Sequence, residues 1–83
     1  MAKFLCVCGH QISTSGSIPN SDEWRLLSDV RFDGFHGQVD AEDVYRATTI
    51  MYRCPASDHL WIYWDGFDQP PSVYQPIQVP GAS

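Results

Sequence analysis

The chain has 83 residues, a length that provides one small domain with a core of marginal size. Ten acidic residues against five basic ones give a formal net charge of -5 at pH 7. This charge argues against nucleic acid and anionic membranes as partners and favours a basic partner. Hydrophobic residues make up 43% of the chain, which excludes a disordered tail, and the longest apolar runs are too short to span a bilayer.

The first residues carry one positive charge without a long apolar stretch or a small-residue cleavage site, so they do not have the pattern of a signal peptide. We therefore expect the protein in the cytoplasm. Its three cysteines, Cys6, Cys8 and Cys54, are an odd number. In a reducing compartment thiols are more often metal ligands, catalytic groups or buried apolar side chains than disulfides.

The first third of the chain contains one strand signal and one loop signal. Alternating side chains over residues 3–8 predict a strand that runs into a turn at Gly9. Residues 11–22 are rich in Ser, Thr, Gly, Pro and Asn, which is the composition of a loop. The segment 24–35 begins with a pattern that fits either a short helix or a strand, and both alternatives stay open.

The clearest helix signal begins at Asp40, which can cap a helix through its carboxylate. Asp43 falls in the first turn, where a negative charge favours the positive end of the helix dipole. Val39 can pack against Val44 across the cap. These features predict a two-turn helix over residues 41–47.

The second half of the chain predicts a hairpin followed by an extended segment. Residues 48–53 and 59–64 are rich in β-branched and aromatic side chains, and the intervening 54–58 is turn-like. Four prolines within 68–83 exclude a helix and a central strand there. We therefore predict one domain over residues 1–67 and an extended Pro-rich C-terminal tail that packs on it or trails from it.

Two of the predicted turns carry soft metal ligands and would bring them to one point. Zinc takes four thiolate or imidazole ligands in a tetrahedron, and an ion that clamps two turns stabilises a small core. The alternative is that the cysteines are buried small hydrophobes. The pattern predicts a Zn²⁺ site formed by Cys6, Cys8, Cys54 and His59. His10 is the alternative to His59 as the fourth ligand.

The two turns resemble those of small bacterial zinc-ribbon-like proteins, many of them without an assigned function. Such proteins begin with a Cys-x-Cys-Gly turn and end with a Cys-Pro-x-Cys-Gly turn before an apolar strand. The resemblance covers residues 4–10 and 52–64, and Ser57 stands where the fourth cysteine would be. Together with the predicted elements it implies a small α+β fold: a zinc-ribbon-like, three-stranded antiparallel sheet with one short helix.

No catalytic pattern accompanies these ligands in the sequence. A catalytic zinc keeps an open position beside a general base. Asp58 is adjacent, but an aspartate in a tight turn commonly bonds the backbone, and no His-Glu-x-x-His pattern is present. A nucleophilic Cys54 with His59 as its base would lack an orienting third group. We therefore predict that the protein is not an enzyme, and a small metalloenzyme is the third alternative.

Two groups of residues are candidates for a partner-binding surface. The acidic group would attract a cationic partner, and the aromatic group falls on one side of the second hairpin strand, where Trp and Tyr are the usual anchors of interfaces. The alternative for the aromatic group is that the Pro-rich tail covers it through Tyr74 and Ile77. The predicted partner-binding residues are Asp40, Glu42, Asp43, Trp61 and Tyr63.

Small size, acidic charge, aromatic anchors and the lack of a catalytic pattern together fit a protein that occludes a basic partner. We predict a non-enzymatic protein-binding module, most concretely a bacterial immunity or antitoxin protein bound to a basic toxin. The alternative is a structural zinc-ribbon accessory domain of a larger assembly. Nucleic acid is not an expected partner, because only Lys3 and Arg53 are basic near the two turns.

Overall fold

The computed structural model describes residues 3–14 and 19–81 of the chain. Over these residues it contains two short helices and six strands. The strands form a two-stranded and a four-stranded antiparallel sheet. The protein is therefore mixed α+β, as predicted, but it has more strands and one more helix than the three strands and one helix expected. The elements are β1 (Lys3–Leu5), β2 (Gln11–Ser13), β3 (Glu23–Leu26), α1 (Asp29–Phe32), α2 (Ala41–Arg46), β4 (Thr49–Arg53), β5 (Leu60–Ile62) and β6 (Ser72–Tyr74).

The two-stranded sheet is a hairpin that presents the first two cysteines in its turn. Phe4 of β1 pairs with Ile12 of β2, and the side chain of Ile12 is fully buried. The alternation predicts a strand to residue 8, whereas β1 ends at Leu5 because the chain turns at Cys6. β2 lies in the segment predicted as a loop, where a single buried isoleucine gives too little pattern to reveal a strand.

The four-stranded sheet has the order β3-β4-β5-β6, and the predicted hairpin is its centre, β4 with β5. At the start of the undecided segment 24–35 the strand alternative is the correct one, because β3 (Glu23–Leu26) pairs with β4, and the helix α1 that follows begins only at Asp29. Part of the predicted tail also belongs to the sheet, because β6 pairs with β5 and places Val73 opposite Trp61. The prolines restrict this strand to the sheet edge.

Helix α2 begins and ends close to the predicted bounds. Its N-cap is Asp40, whose Oδ1 accepts a hydrogen bond from the Glu42 N–H at 3.0 Å. Ala47 is the C-cap. Neither helix has a fully buried residue, so both lie on the surface of the sheet core. In the part of the chain that the structure describes, no helix has the length and apolar character needed to cross a membrane.

The core lies between the two sheets and is mostly aromatic. The ring of Phe4 contacts the rings of Tyr52 and Trp61, with centroids 5.7 and 4.8 Å apart. Burial, the Glu23 carboxylate and the neighbouring Tyr63 raise the pKa of Tyr52 to about 12, so this phenol stays neutral. The buried cluster consists of Cys6, Ile12, Tyr52, Cys54 and Tyr63.

Candidate metal site

The first turn of the site connects β1 to β2 and carries Cys6 and Cys8. The Cys6 N–H donates to the His10 carbonyl at 2.9 Å, and the Gly9 N–H donates back to the Cys6 carbonyl at 2.8 Å. Gly9 has a φ of 96°, a conformation that only glycine adopts at low cost. Glycine at this position therefore allows the tight turn that places both thiols on one side.

The second turn connects β4 to β5 and repeats this construction. The Cys54 N–H donates to the His59 carbonyl, and the Asp58 N–H donates to the Cys54 carbonyl, both at 2.9 Å. Asp58 is the left-handed residue here, with a φ of 60°. Its carboxylate also forms an ion pair with Arg53 at 2.8 Å, which closes the turn from the outside.

The two turns bring together three thiols that are far apart in the sequence. The Sγ atoms of Cys6, Cys8 and Cys54 all lie within 4.8 Å of one another, and those of Cys8 and Cys54 are 3.6 Å apart. In a tetrahedral zinc site with Zn–S bonds of about 2.3 Å, two sulfurs are separated by about 3.8 Å. All three cysteines are free thiols, so the cluster could bind a metal ion.

Burial differs among the three thiols in a way that suits a site at the edge of the core. Cys6 and Cys54 are 3% and 0% exposed, whereas Cys8 is exposed. Two of the three candidate ligands are therefore fixed by core packing, and the third is exposed to solvent, from which an ion could enter. Because Cys6 and Cys54 follow β1 and β4, an ion held here would connect the two sheets.

The electrostatics around Cys6 favour its thiolate, the form that binds metal. Burial alone raises the pKa of this thiol. Hydrogen bonds to the sulfur from the Cys8 N–H, the Trp61 indole and the Ser57 hydroxyl outweigh the burial and lower the pKa from 9.0 to about 6. The indole Nε1 lies 3.5 Å from the Cys6 Sγ.

The predicted fourth ligand, His59, does not belong to the thiol cluster. Among the described residues, no histidine or acidic side chain joins the three cysteines in this cluster. The His59 Nδ1 instead lies 2.6 Å from the Ser57 Oγ. The alternative ligand His10 is an exposed residue and is likewise outside the cluster. The structure thus brings together three of the four predicted ligands.

Ser57 is the residue at this site that the sequence analysis did not select. Its Oγ lies 3.7 Å from the Cys6 Sγ, between that sulfur and the His59 ring. The signal for it was its position, because it occupies the place of the fourth cysteine in the second turn. Its chemistry obscured this signal, since serine is rarely a zinc ligand.

The predicted aromatic anchors are parts of the core rather than of an exposed surface. Trp61 is half-buried against Phe4, and its indole N–H donates a hydrogen bond to the Cys6 sulfur. Tyr63 is buried beside Tyr52 and Phe67. The predicted alternation is present, but the face it defines packs against the two-stranded sheet. The exposed indole of this strand end is that of Trp64, at 56%.

The cover over this aromatic face differs from the alternative predicted from the sequence. Phe4 and Phe67 pack on the rings, whereas Ile77 is exposed. The Tyr74 hydroxyl accepts a hydrogen bond from the Trp64 Nε1 at 3.0 Å. The tail therefore contributes an edge strand and one polar contact instead of an apolar cover.

The three predicted acidic residues are exposed at the start of α2, and two of them have local roles. Asp40 caps the helix, and Glu42 forms an ion pair with Arg46 at 3.0 Å, one helical turn later. Asp43 adds a charge in the first turn. The group keeps a net negative charge on the surface, because Arg46 is the single basic residue of the helix.

A cavity of about 500 Å³ lies at the start of β4, whereas the thiols lie beyond its end, and the arginines of the cavity are engaged within the protein. Arg25 pairs with Glu23 at 2.6 Å and stacks on the Tyr45 ring, with 4.1 Å to the centroid. Arg31 donates to the Ala47 carbonyl at 2.6 Å. The Arg25 contact with Tyr45 connects β3 to α2, and the Arg31 contact connects α1 to the end of α2, so both arginines have structural roles.

A family model described as a domain of unknown function (DUF8617) matches residues 2–78. No curated protein and no solved structure matches the chain.

Proposed function

The chain belongs to the DUF8617 family, a domain of unknown function, and from its site we propose that it is a non-enzymatic protein-binding module stabilised by one structural Zn²⁺ ion. The observation that supports the metal ion in this proposal is the convergence of Cys6, Cys8 and Cys54 within 4.8 Å. Thiolate sulfurs in a compact cluster select zinc over hard cations such as Mg²⁺ and Ca²⁺.

The structural role follows from where the ligands are anchored. Cys8 and Cys54 are 46 residues apart, and their turns belong to different sheets. An ion bound by both closes a long loop and joins two small layers that share only a limited core. The ligands also have the packing of structural residues, since Cys6 and Cys54 are part of the buried cluster.

The partner in this proposal is a basic protein, and the argument for it is charge complementarity. The chain carries a net charge of -5, and the exposed start of α2 presents Asp40, Glu42 and Asp43. Opposite charge accelerates encounter and selects against acidic partners. The most concrete form is a bacterial immunity or antitoxin protein that occludes a basic toxin. A structural accessory domain of a larger assembly is the alternative.

Native mass spectrometry of the untagged protein, purified without chelator, tests the metal. We expect a mass shift of one zinc ion per chain, and its loss in Cys8→Ala. This variant is the sharpest one because Cys8 is exposed, so that the substitution removes a ligand without opening a cavity in the core. A folded wild-type chain without metal would contradict the proposed zinc.

Co-purification from the native host, followed by identification of the bound chain, tests the partner. We expect a stoichiometric complex with a basic, toxic polypeptide, whose association rate falls as salt rises. Charge reversal at Asp43, which is exposed in α2, should slow association. Charge reversal at Asp68, an exposed residue outside the helix, is the matched control. Binding that is insensitive to salt and to both variants would contradict the electrostatic proposal.

A further inference from the structure

A hydroxyl oxygen, that of Ser57, lies beside one of the three sulfurs of the site. We propose that the Ser57 hydroxyl oxygen supplies the fourth ligand of the metal ion and that His59 holds this hydroxyl in position through its Nδ1. The inference rests on the proposed function for the presence of the ion, and it deepens that function by assigning the donor set as three sulfurs and one oxygen.

Distances support this assignment on the side of Cys6. Tetrahedral bonds of about 2.3 Å to sulfur and about 2.0 Å to oxygen separate the two ligand atoms by about 3.5 Å. The Ser57 Oγ lies 3.7 Å from the Cys6 Sγ. Ser57 is also half-buried in the turn that begins with Cys54, so the same backbone segment positions a sulfur and an oxygen.

Its hydrogen bond to His59 gives the serine a fixed orientation. The His59 Nδ1 lies 2.6 Å from the Ser57 Oγ, and the imidazole is half-buried. A residue that bonds a ligand from outside the coordination sphere orients it and increases its basicity. His59 therefore acts as a positioning residue for Ser57, which explains why its ring is turned toward the hydroxyl and not toward the thiols.

The proton of the hydroxyl has a place in both states of the site. Without an ion, the Ser57 hydroxyl lies between the Cys6 sulfur and the His59 nitrogen and can bond either. When the sulfur is bound to an ion, the hydroxyl can donate its proton to the His59 Nδ1 and keep its oxygen lone pairs for the ion. This rearrangement requires the ring proton of His59 to be on Nε2, so that Nδ1 can accept, and the thiols release their protons to solvent when they bind the ion.

An oxygen in place of a fourth thiolate has two consequences. The hydroxyl is neutral, so the site has one negative charge fewer than a site of four thiolates. Oxygen is also a harder ligand than sulfur and holds zinc less tightly in such a set. The ion should therefore exchange with a chelator faster than an ion held by four cysteines.

Cobalt substitution gives a direct readout of the donor set, because Co²⁺ adopts zinc-like tetrahedral sites and absorbs according to its ligands. We expect Ser57→Cys to increase the thiolate-to-cobalt charge-transfer absorbance by about a third, as a fourth sulfur joins three. It should also tighten Zn²⁺ binding in competition with a chromophoric chelator. Ser57→Ala should change the visible Co²⁺ bands and weaken Zn²⁺ binding by about tenfold or more.

The His59 variants separate a positioning role from direct ligation. His59→Ala should weaken Zn²⁺ binding by about tenfold while the Co²⁺ bands stay close to those of the wild type. His59→Gln, which can still accept the hydroxyl proton, should restore part of the affinity. His36→Ala and Ser72→Ala alter exposed residues and are the matched controls.

Each outcome of these measurements bears on one claim. If the wild-type chain binds neither Zn²⁺ nor Co²⁺, the proposed structural metal is wrong. If the wild type binds but Ser57→Ala leaves both affinity and spectrum unchanged, the metal stands and the serine ligand is wrong. Altered Co²⁺ bands in His59→Ala with normal bands in Ser57→Ala would make His59 the ligand and overturn the assignment.

Discussion

Asp58 combines an uncommon backbone conformation with an ion pair in the second turn. A φ of 60° costs a residue with a side chain about 1–2 kcal/mol, and aspartate is one of the few that adopt it, because its short polar side chain bonds locally. The pair with Arg53 is exposed on both sides and contributes less than about 1 kcal/mol. Backbone conformation should therefore dominate the effect of substitutions here.

We expect Asp58→Ala to lower the free energy of unfolding by about 1 kcal/mol, because alanine tolerates the left-handed conformation less well than aspartate and loses the ion pair with Arg53. Asp58→Gly should leave stability nearly unchanged, since relief of strain offsets the lost ion pair. Urea denaturation of both variants in the same buffer provides the comparison. Equal losses in the two would show that the pair with Arg53, and not the backbone, stabilises the turn.

The Cys6 thiol gives the metal-free chain a pH-dependent stability. Its pKa of about 6 in the folded state lies below its ordinary value of 9.0, because the hydrogen bonds to the sulfur outweigh burial. A lowered folded-state pKa contributes stability that is complete above pH 9 and is lost as the pH falls toward 6. The chelated protein should therefore become more stable from pH 6 to pH 9.

Thiolate absorbance near 240 nm measures this titration directly. In the chelated protein we expect a step near pH 6 that is absent from Cys6→Ser. Trp61→Phe, which removes the indole donor 3.5 Å from the sulfur, should move the step to higher pH. A step that begins only near pH 9 in the wild type would contradict the stabilised thiolate.

At the scale of the elements, helix α2 depends on its cap more than on packing. It has six residues and no fully buried side chain, so tertiary contacts contribute little to it. Asp40→Ala removes the acceptor for the Glu42 N–H and should lower the free energy of unfolding by about 1 kcal/mol. Asp43→Ala loses only a dipole interaction and should cost about 0.3 kcal/mol. Chemical denaturation followed by circular dichroism measures both, and equal costs would contradict a specific role of the cap.

The elements that could be predicted from the sequence are those with local signals. α2 has a capping residue, and β4 with β5 has two runs of β-branched and aromatic side chains around a turn. β2 and β6 have three residues each, and they are strands because a neighbouring strand pairs with them. No local pattern reveals such a partner, so these strands could not be predicted.

The same distinction applies to the candidate site. The spacing of the three cysteines around two turns was sufficient to predict that they meet. The relation of Ser57 to His59 depends on the course of the chain through Asp58, whose left-handed conformation is set by the whole turn. For the aromatic residues of β5, the predicted alternation was correct, but the sequence did not reveal which side of the strand is buried. Which face of β5 is covered depends on where the two-stranded sheet packs.

At the scale of the whole molecule, the two sheets meet through a core of few residues. The two-stranded sheet contributes Phe4, Cys6 and Ile12 to this core, and the four-stranded sheet contributes its central strands. A domain of this size is marginal when apolar burial is its main source of stability. An ion bound by the thiols would connect the two sheets and so add to the stability that their small shared core provides.

Chelation should therefore act on the whole chain and not only on the two turns. An ion that binds the folded state alone stabilises it by about 2.7 kcal/mol at a free concentration a hundred times its dissociation constant. We expect EDTA to lower the melting temperature of the wild type. The two-stranded sheet should detach first, so hydrogen exchange should rise at Ile12 before it rises at Tyr52. Cys8→Ala should melt at the temperature of the chelated wild type and should not respond to EDTA, because it lacks one of the ligands. If a wild-type chain shown to contain zinc has the same melting temperature with and without EDTA, the ion does not stabilise the fold, and the aromatic core is sufficient.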